Sequence, residues 1–333
     1  MSNSDKENNS FGRRQFLARA GKATVAIAGC GVASYLLYDP EGPTVGVKAE
    51  DLVTLPDFSV PHKDGQAMSI IQGADREKTV DKAIELLGSI ERFVNQGDTV
   101  AIKPNVAFAT PAMLGATANP QLVAKIVRLC YKGGAKKVIV TDNPINDPAS
   151  CFTLSGIGKA ANRAGADVIL PKNHLFRLTT LTGGKLINNW PIFYKPFENI
   201  DKLIGISPIK HHHRAGASMS MKNWYGLLGG QRNVFHQDIN TIIAELAMMV
   251  KPTLTILDGT EVMITNGPTG GSVSDLRRAN TMIVSTDCVA ADSYGCGLLD
   301  LKIPDLHYLA RAEKAGAGTT DYKSLSPIFS AVN

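Results

Sequence analysis

Lysine set directly after an apolar run is an unusual placement, and this sequence makes it twice. Lys103 closes Val100-Ala101-Ile102 and leads into Pro104-Asn105, and Lys210 closes the apolar stretch 203–209 and opens His211-His212-His213. Lysine is a poor turn former, so ordinary loop chemistry accounts for neither. Three further apolar runs end in polar groups: Asp142-Asn143, Asp258-Gly259 and Ser285-Thr286-Asp287. A fourth group, Lys222-Asn223-Trp224-Tyr225-Gly226, lies in the Gly-, Met- and His-containing stretch 211–234, which is long enough to suggest a working loop. Lysines supply charge for a carboxylate or phosphate, glycines let a backbone approach a ligand closely, and imidazole exchanges protons near neutral pH. These residue types therefore point to a small anionic ligand. Lys103, Asn105, Lys210, Lys222, Asn223 and Gly271 are the candidate binding residues, and His211 or His212 the candidate acid–base group. Gly271 belongs to a second flexible turn, 266–271.

Asp142, His213, Asp258, Asp287 and Asp292 are candidates for orienting groups or holding a divalent metal. Alternate residues of a strand share a direction, so His211 and His213 with a carboxylate such as Asp258 suit zinc or nickel. The cofactor stays open between a divalent metal and none. Asp287, like Asn119, also reads as a helix N-cap. Trp224 and Tyr225 read equally as core packing or as ligand stacking.

These groups need elements that bring them together. Helical periodicity predicts helices over 79–95, 154–164, 236–250, 305–315 and from Asp287 to about 299. Asn119-Pro120 opens another helix, which Gly133-Gly134 ends. Apolar bursts between them predict strands at 98–105, 137–142, 166–170, 203–210, 254–259 and 281–287. The alternation gives an α/β fold, a mostly parallel sheet with helices on both faces, and the stretch 177–196 reads as an antiparallel hairpin addition. In a parallel sheet all carboxyl ends lie on one edge, and ligands bind outside that edge. Residues 180 positions apart could thus converge.

Composition narrows the classes. The 333 residues are 44% hydrophobic and 20% charged, an ordinary globular balance. The net charge is +5, but the first 22 residues hold five basic and two acidic side chains. The remainder has 30 basic and 28 acidic residues, which leaves no nucleic-acid footprint. No G-x-G-x-x-G, P-loop or G-x-S-x-G pattern occurs, and no paired-carboxylate motif supports glycosidase chemistry. Cys130, Cys151, Cys288 and Cys296 form no C-x-x-C, so an iron–sulfur or zinc-knuckle run is missing. Cys288 and Cys296 lie ~12 Å apart along a predicted helix, too far for a disulfide. A Cys130–Cys151 bridge and four buried thiols are the alternatives.

The chain reads as three parts: 1–38, a linker and entry segment at 39–66, and an α/β domain at 67–333. Phe11-Gly12-Arg13-Arg14-Gln15-Phe16-Leu17 precedes a mild apolar run from Ala23 to Tyr38. This layout resembles a twin-arginine export signal. It implies the export machinery as a partner, a periplasmic or membrane-anchored location, and membrane contact only through the N-terminus. Ile27-Ala28-Gly29-Cys30 resembles a lipoprotein cleavage box that would lipidate Cys30. The apolar continuation past Cys30 fits a longer signal or an uncleaved anchor, and both readings stay open.

Taken in order, Val100-Ala101-Ile102-Lys103-Pro104-Asn105, the run Gly133 to Asp142, Lys210-His211-His212, Met221-Lys222-Asn223-x-x-Gly226, Leu257-Asp258-Gly259 with Gly267-Pro268-x-x-Gly271, and Ser285-Thr286-Asp287-x-Val289-Ala290-Ala291-Asp292 resemble the family called domain of unknown function 362. The resemblance covers most of 95–300 and implies an α/β domain. Some relatives carry a ferredoxin-like iron–sulfur module, but this chain lacks such a cysteine run. The expectation is an exported α/β protein that binds or converts a small anionic compound at the carboxyl edge. A non-catalytic binding module and an iron–sulfur-associated redox partner are the alternatives.

Overall fold

The computed structural model describes residues 14, 17–22, 24, 52–61 and 66–333. The described residues of the N-terminal unit, which ends at Lys48, are helical and exposed. Cys30, Arg13 and most of the apolar run lie outside the described residues, as do 39–51 and 62–65 of the linker. No helix among the described residues is long and apolar enough to cross a membrane.

The unit from Ala49 onward is built on a nine-stranded sheet. Its strands are β1 (Met68–Gln72), β2 (Thr99–Pro104), β3 (Lys137–Thr141), β4 (Asp167–Ile169), β7 (Lys202–His212), β8 (Gly216–Ser218), β9 (Leu254–Met263), β10 (Leu276–Ser285) and β11 (Ile328–Ala331). The order is β11-β1-β10-β9-β7-β2-β3-β4, with β8 paired to β7. β2, β3, β4, β7 and β9 run parallel, and β11 is parallel to β1. β5 (Phe176–Thr179) and β6 (Trp190–Phe193) form a separate antiparallel pair. The expected α/β architecture is therefore present, with the hairpin as its own small sheet.

Strand residues alternate between two cores, as the period-2 pleat requires. Val100, Ile102, Ile204, Ile206 and Ile256 face one core, together with α1 (Arg76–Leu86), α2 (Pro120–Lys132), α3 (Pro148–Leu154) and α4 (Ile157–Arg163). Ala101, Leu203, Ile209 and Leu257 face the other. That second core packs α6 (Ile239–Met249), α7 (Cys288–Gly295) and α8 (His307–Lys314), which follow the short α5 (Ser220–Asn223). α2 starts as its sequence dictates: the Asn119 side chain accepts from Gln121 N at 2.9 Å, and Pro120 fills the first helical position, where no donor is needed. The predicted helix 79–95 is displaced and shorter, Arg76–Leu86, and the one near 154–164 is Ile157–Arg163, with a separate helix, Pro148–Leu154, before it. All four described cysteines are buried free thiols.

β10 departs from the parallel set that the sequence predicts. It runs antiparallel to β9 and to β1, with Ser285 opposite Thr255. β9 continues to Met263 and β10 begins at Leu276, so the link 264–275 contains only a 3-10 turn. A parallel return needs a longer crossover, usually a helix. Ser285 and Asp287 consequently stand at the amino ends of the parallel strands, away from the edge carrying Lys103 and Lys210.

Candidate functional site

Where β2, β3 and β7 end, a cavity of about 590 Å³ opens, within the usual range for small-molecule sites. Lys103, Asp142 and Lys210 enter from the strand ends, and Lys222, Asn223 and Tyr225 from the segment around α5. Arg232 and His236 come from the following 3-10 helix, and Asn266 to Thr269 from the β9–β10 link. Lys103 and Lys210 belong to opposite faces of the sheet by strand parity, yet both reach over its rim into this space. Four cations therefore share one cavity with a single carboxylate, Asp142.

The polar groups form a continuous chain. The Lys103 Nζ lies 2.6 Å from Asp142 Oδ1 and donates to Asn223 Oδ1 at 2.8 Å. Asn105 Nδ2 donates to the same oxygen of Asn223 at 3.3 Å. Lys210 Nζ in turn donates to Asn105 Oδ1 at 3.3 Å and to the Ala116 carbonyl at 2.7 Å, and it faces the Phe108 ring at 5.3 Å. Asp142 is also fixed by backbone N–H groups, Val106 N donating to its Oδ2 and Asn143 N to its Oδ1. Burial depresses the Lys103 pKa, and Asp142 opposes the shift. Lys210 has no carboxylate in ion-pair contact among the described residues. Burial, with the charge of Lys222, pushes it down to about 7. The Lys222 side chain makes no hydrogen bond among the described residues, and its Nζ sits 4.9 Å from the centre of the Tyr225 ring. Burial and Arg232 push it down to about 8. Arg232 donates only to carbonyls, those of Tyr225, Leu228 and Pro144.

The glycines have identifiable work. A Cβ on Gly226 would come within 2.2 Å of Asp142 Oδ1 and 2.8 Å of Lys103 Nζ, so only glycine lets this backbone cover the ion pair. A Cβ on Gly267 would meet the His211 carbonyl at 1.9 Å. Gly271 is exposed with open space around it and does not line the cavity.

The three histidines differ. His212 is buried, and its Nδ1 accepts from Arg214 N and Ala215 N at 3.2 Å, tying down the β7–β8 turn. Its proton is therefore on Nε2. Burial and Lys222 drive its pKa to about 2, so it stays neutral across the physiological range. Held in this way, His212 is a neutral imidazole bound to the turn. His213 is exposed and stacks on His212 with ring centroids 5.0 Å apart. All three histidines line the cavity, and the Nδ1 of His211 is buried without a partner.

The carboxylates named in the sequence divide sharply. Only Asp142 lies in the cavity. Asp258 does not line it; its Oδ2 accepts from Arg76 Nε of α1 at 2.8 Å, and its Oδ1 accepts from Thr260 N. His211, His213 and Asp258 are therefore not gathered, and no group of three metal-ligating side chains occurs among the described residues. Asp287 caps α7 through Val289 N and Ala290 N. Asp292, fully buried on α7, accepts from Ser220 N, Ser220 Oγ and Met221 N. It thereby anchors the segment that presents Lys222 and Asn223, an indirect placing role. Trp224 is core, packed where a Cβ on Gly205 would stand, whereas Tyr225 lines the cavity. Arg232, His236 and Phe108 went unread in the sequence. Arg232 alone carried a signal, a cation within the working loop 211–234.

Fold and site together define an α/β protein with a cation-lined crevice at the carboxyl edge of its parallel strands. The chain belongs to the family described as Domain of unknown function (DUF362), which it matches over residues 100–297. It is 25% identical over 260 residues to a thylakoid-associated protein of Synechocystis sp., covering 74% of this chain and 76% of that one. A crystal structure of a Thermotoga maritima protein aligns with 12% identity and a TM-score of 0.39, over 72% of this chain and 60% of that chain.

Proposed function

We propose that the protein binds a small anionic compound in the carboxyl-edge cavity. The observation that carries this is charge balance: Lys103, Lys210, Lys222 and Arg232 face one space that supplies a single internal carboxylate. Buried charge is tolerated when it is paired, and here the pairing is incomplete until an anion enters. Lys222, with no hydrogen bond in place, is the principal contact. Lys103 and Asn223 are held by Asp142 and Asn105, which gives the anion a pre-set frame. His211 is the group suited to proton transfer, because its Nδ1 is unclaimed. Calorimetric titration with phosphate, sulfate and acetate tests the reading. Binding that Lys222→Ala weakens at least tenfold supports it, and equal binding by the variant refutes it.

The first 38 residues carry the second part of the proposal, export by the twin-arginine route to a periplasmic site. Support comes from Arg13-Arg14 ahead of a weakly apolar run. The relative named for association with thylakoids is compatible with a protein kept close to a membrane. Changing both arginines to lysine should hold the protein in the cytoplasm on fractionation. Unaltered partitioning would remove the export reading.

A further inference from the structure

The anion cavity adjoins a second one of about 580 Å³, and the two share Asn143, Ile145 and Arg232 in their walls. The chemistry of the second space differs. Pro144, Pro148, Pro171 and Pro191 all line it, and proline has no backbone N–H to offer. Phe176 also lines it, with Leu228 and the side-chain-free Gly229 and Gly230, while Lys172, Asn173 and Asn233 add polar groups to its wall. Gly229 packs so closely that a Cβ there would meet the Phe176 ring at 2.6 Å. At the junction stands Ile145, 61% exposed, one of few large apolar side chains the described fold leaves in solvent. Arg232, also at the junction, is held by three carbonyls and turns a fixed cation toward the boundary.

We propose that the natural ligand has two parts: an anionic head seated among Lys103, Lys210 and Lys222, and a flat apolar or ring-bearing body lying past Ile145 against the proline-walled cavity. The inference rests on the anion-binding reading above and adds the body. A free inorganic anion would leave Ile145 and the second cavity unused. An aryl phosphate or aryl carboxylate would cover both, gaining the burial of one ring face.

The test is titration of the full chain with two matched pairs, phosphate against 1-naphthyl phosphate and acetate against 1-naphthoate. In at least one pair the aryl compound should bind ten-fold or more tightly. Asn173→Trp and Asn233→Trp, at exposed positions on the rim of the second cavity, should each erase that gain and leave the small anion's affinity within two-fold. Ile145→Ser, which takes away the apolar surface at the junction, should reduce the gain without abolishing it. Small-anion binding with no aryl gain, or a gain that survives both tryptophans, overturns the two-part ligand while leaving anion binding intact. Failure of all four probes to bind overturns both.

Discussion

Two charged clusters stand on the carboxyl side of the same sheet, and they resolve their charge in opposite ways. In one, Arg76 is clamped between Asp258 at 2.8 Å and Glu261 at 3.1 Å. Burial works against its charge, but the two carboxylates outweigh it and hold the guanidinium above its ordinary pKa. In the other, Lys210 and Lys222 have no carboxylate in contact among the described residues, and burial pushes them down to about 7 and about 8. The first cluster is complete in itself and needs nothing from solution. The second is complete only with a partner of opposite sign. Residue type alone does not separate them, since each mixes basic groups with Asp. What separates them is whether the fold supplies the counter-charge.

Substitutions can break this comparison. The largest effect falls on the self-contained cluster. Arg76→Ala strands the nearly buried Asp258 and should cost about 3 kcal/mol in denaturant unfolding, with anion affinity unchanged. Lys222→Ala should do the reverse, lowering sulfate affinity about 30-fold, or ~2 kcal/mol, with little change in stability. A smaller effect sharpens the contrast further. Lys210→Met removes an uncompensated buried charge and should stabilise the ligand-free protein by about 1 kcal/mol while weakening anion binding. If Lys210→Met instead destabilises as much as Arg76→Ala, the two clusters are alike and the distinction fails. Smallest is His212→Gln. It removes a neutral imidazole that ties a turn, so any loss should be the same at pH 6 and pH 8, as thermal unfolding at both values would check.

Much of the fold was legible because its signals are local. Asn119-Pro120 and Gly133-Gly134 bracket α2, and uninterrupted apolar runs mark β2 and β7, strands buried on both faces. The direction of β10 was not legible, since it depends on how far β9 extends before the chain turns, and Glu261 and Thr260 do not look like buried-strand residues. In the site, Lys103, Asn105, Asp142, Lys210 and Asn223 were readable as strand-end or loop groups, and they form one hydrogen-bonded chain. Asp258 does not reach the site because β9 does not end there: the strand runs on to Met263, and from within it the Asp258 side chain meets Arg76 of α1. Asp292 looked like a candidate ligand because its type suits one. Its actual partners, Ser220 and Met221, are 72 and 71 residues away, and no spacing rule connects them. Arg232 was passed over for a related reason: its value lies in three carbonyl contacts that only the folded loop creates.

The rim cavity holds more cations than its one carboxylate, Asp142, can balance, and the pH dependence of anion binding probes that excess. Sulfate keeps its own charge between pH 6 and pH 9, so any change belongs to the protein. With Lys210 at about 7 and Lys222 at about 8 in the free protein, a bound anion raises both by favouring their charged forms. Calorimetry should find full affinity at and below pH 6.5, a fall of ten-fold or more by pH 9, and proton uptake on binding near pH 7.5 that scales with buffer ionisation heat. Sulfate binding that is flat across this range with no proton taken up, or no binding at any pH, would contradict the account.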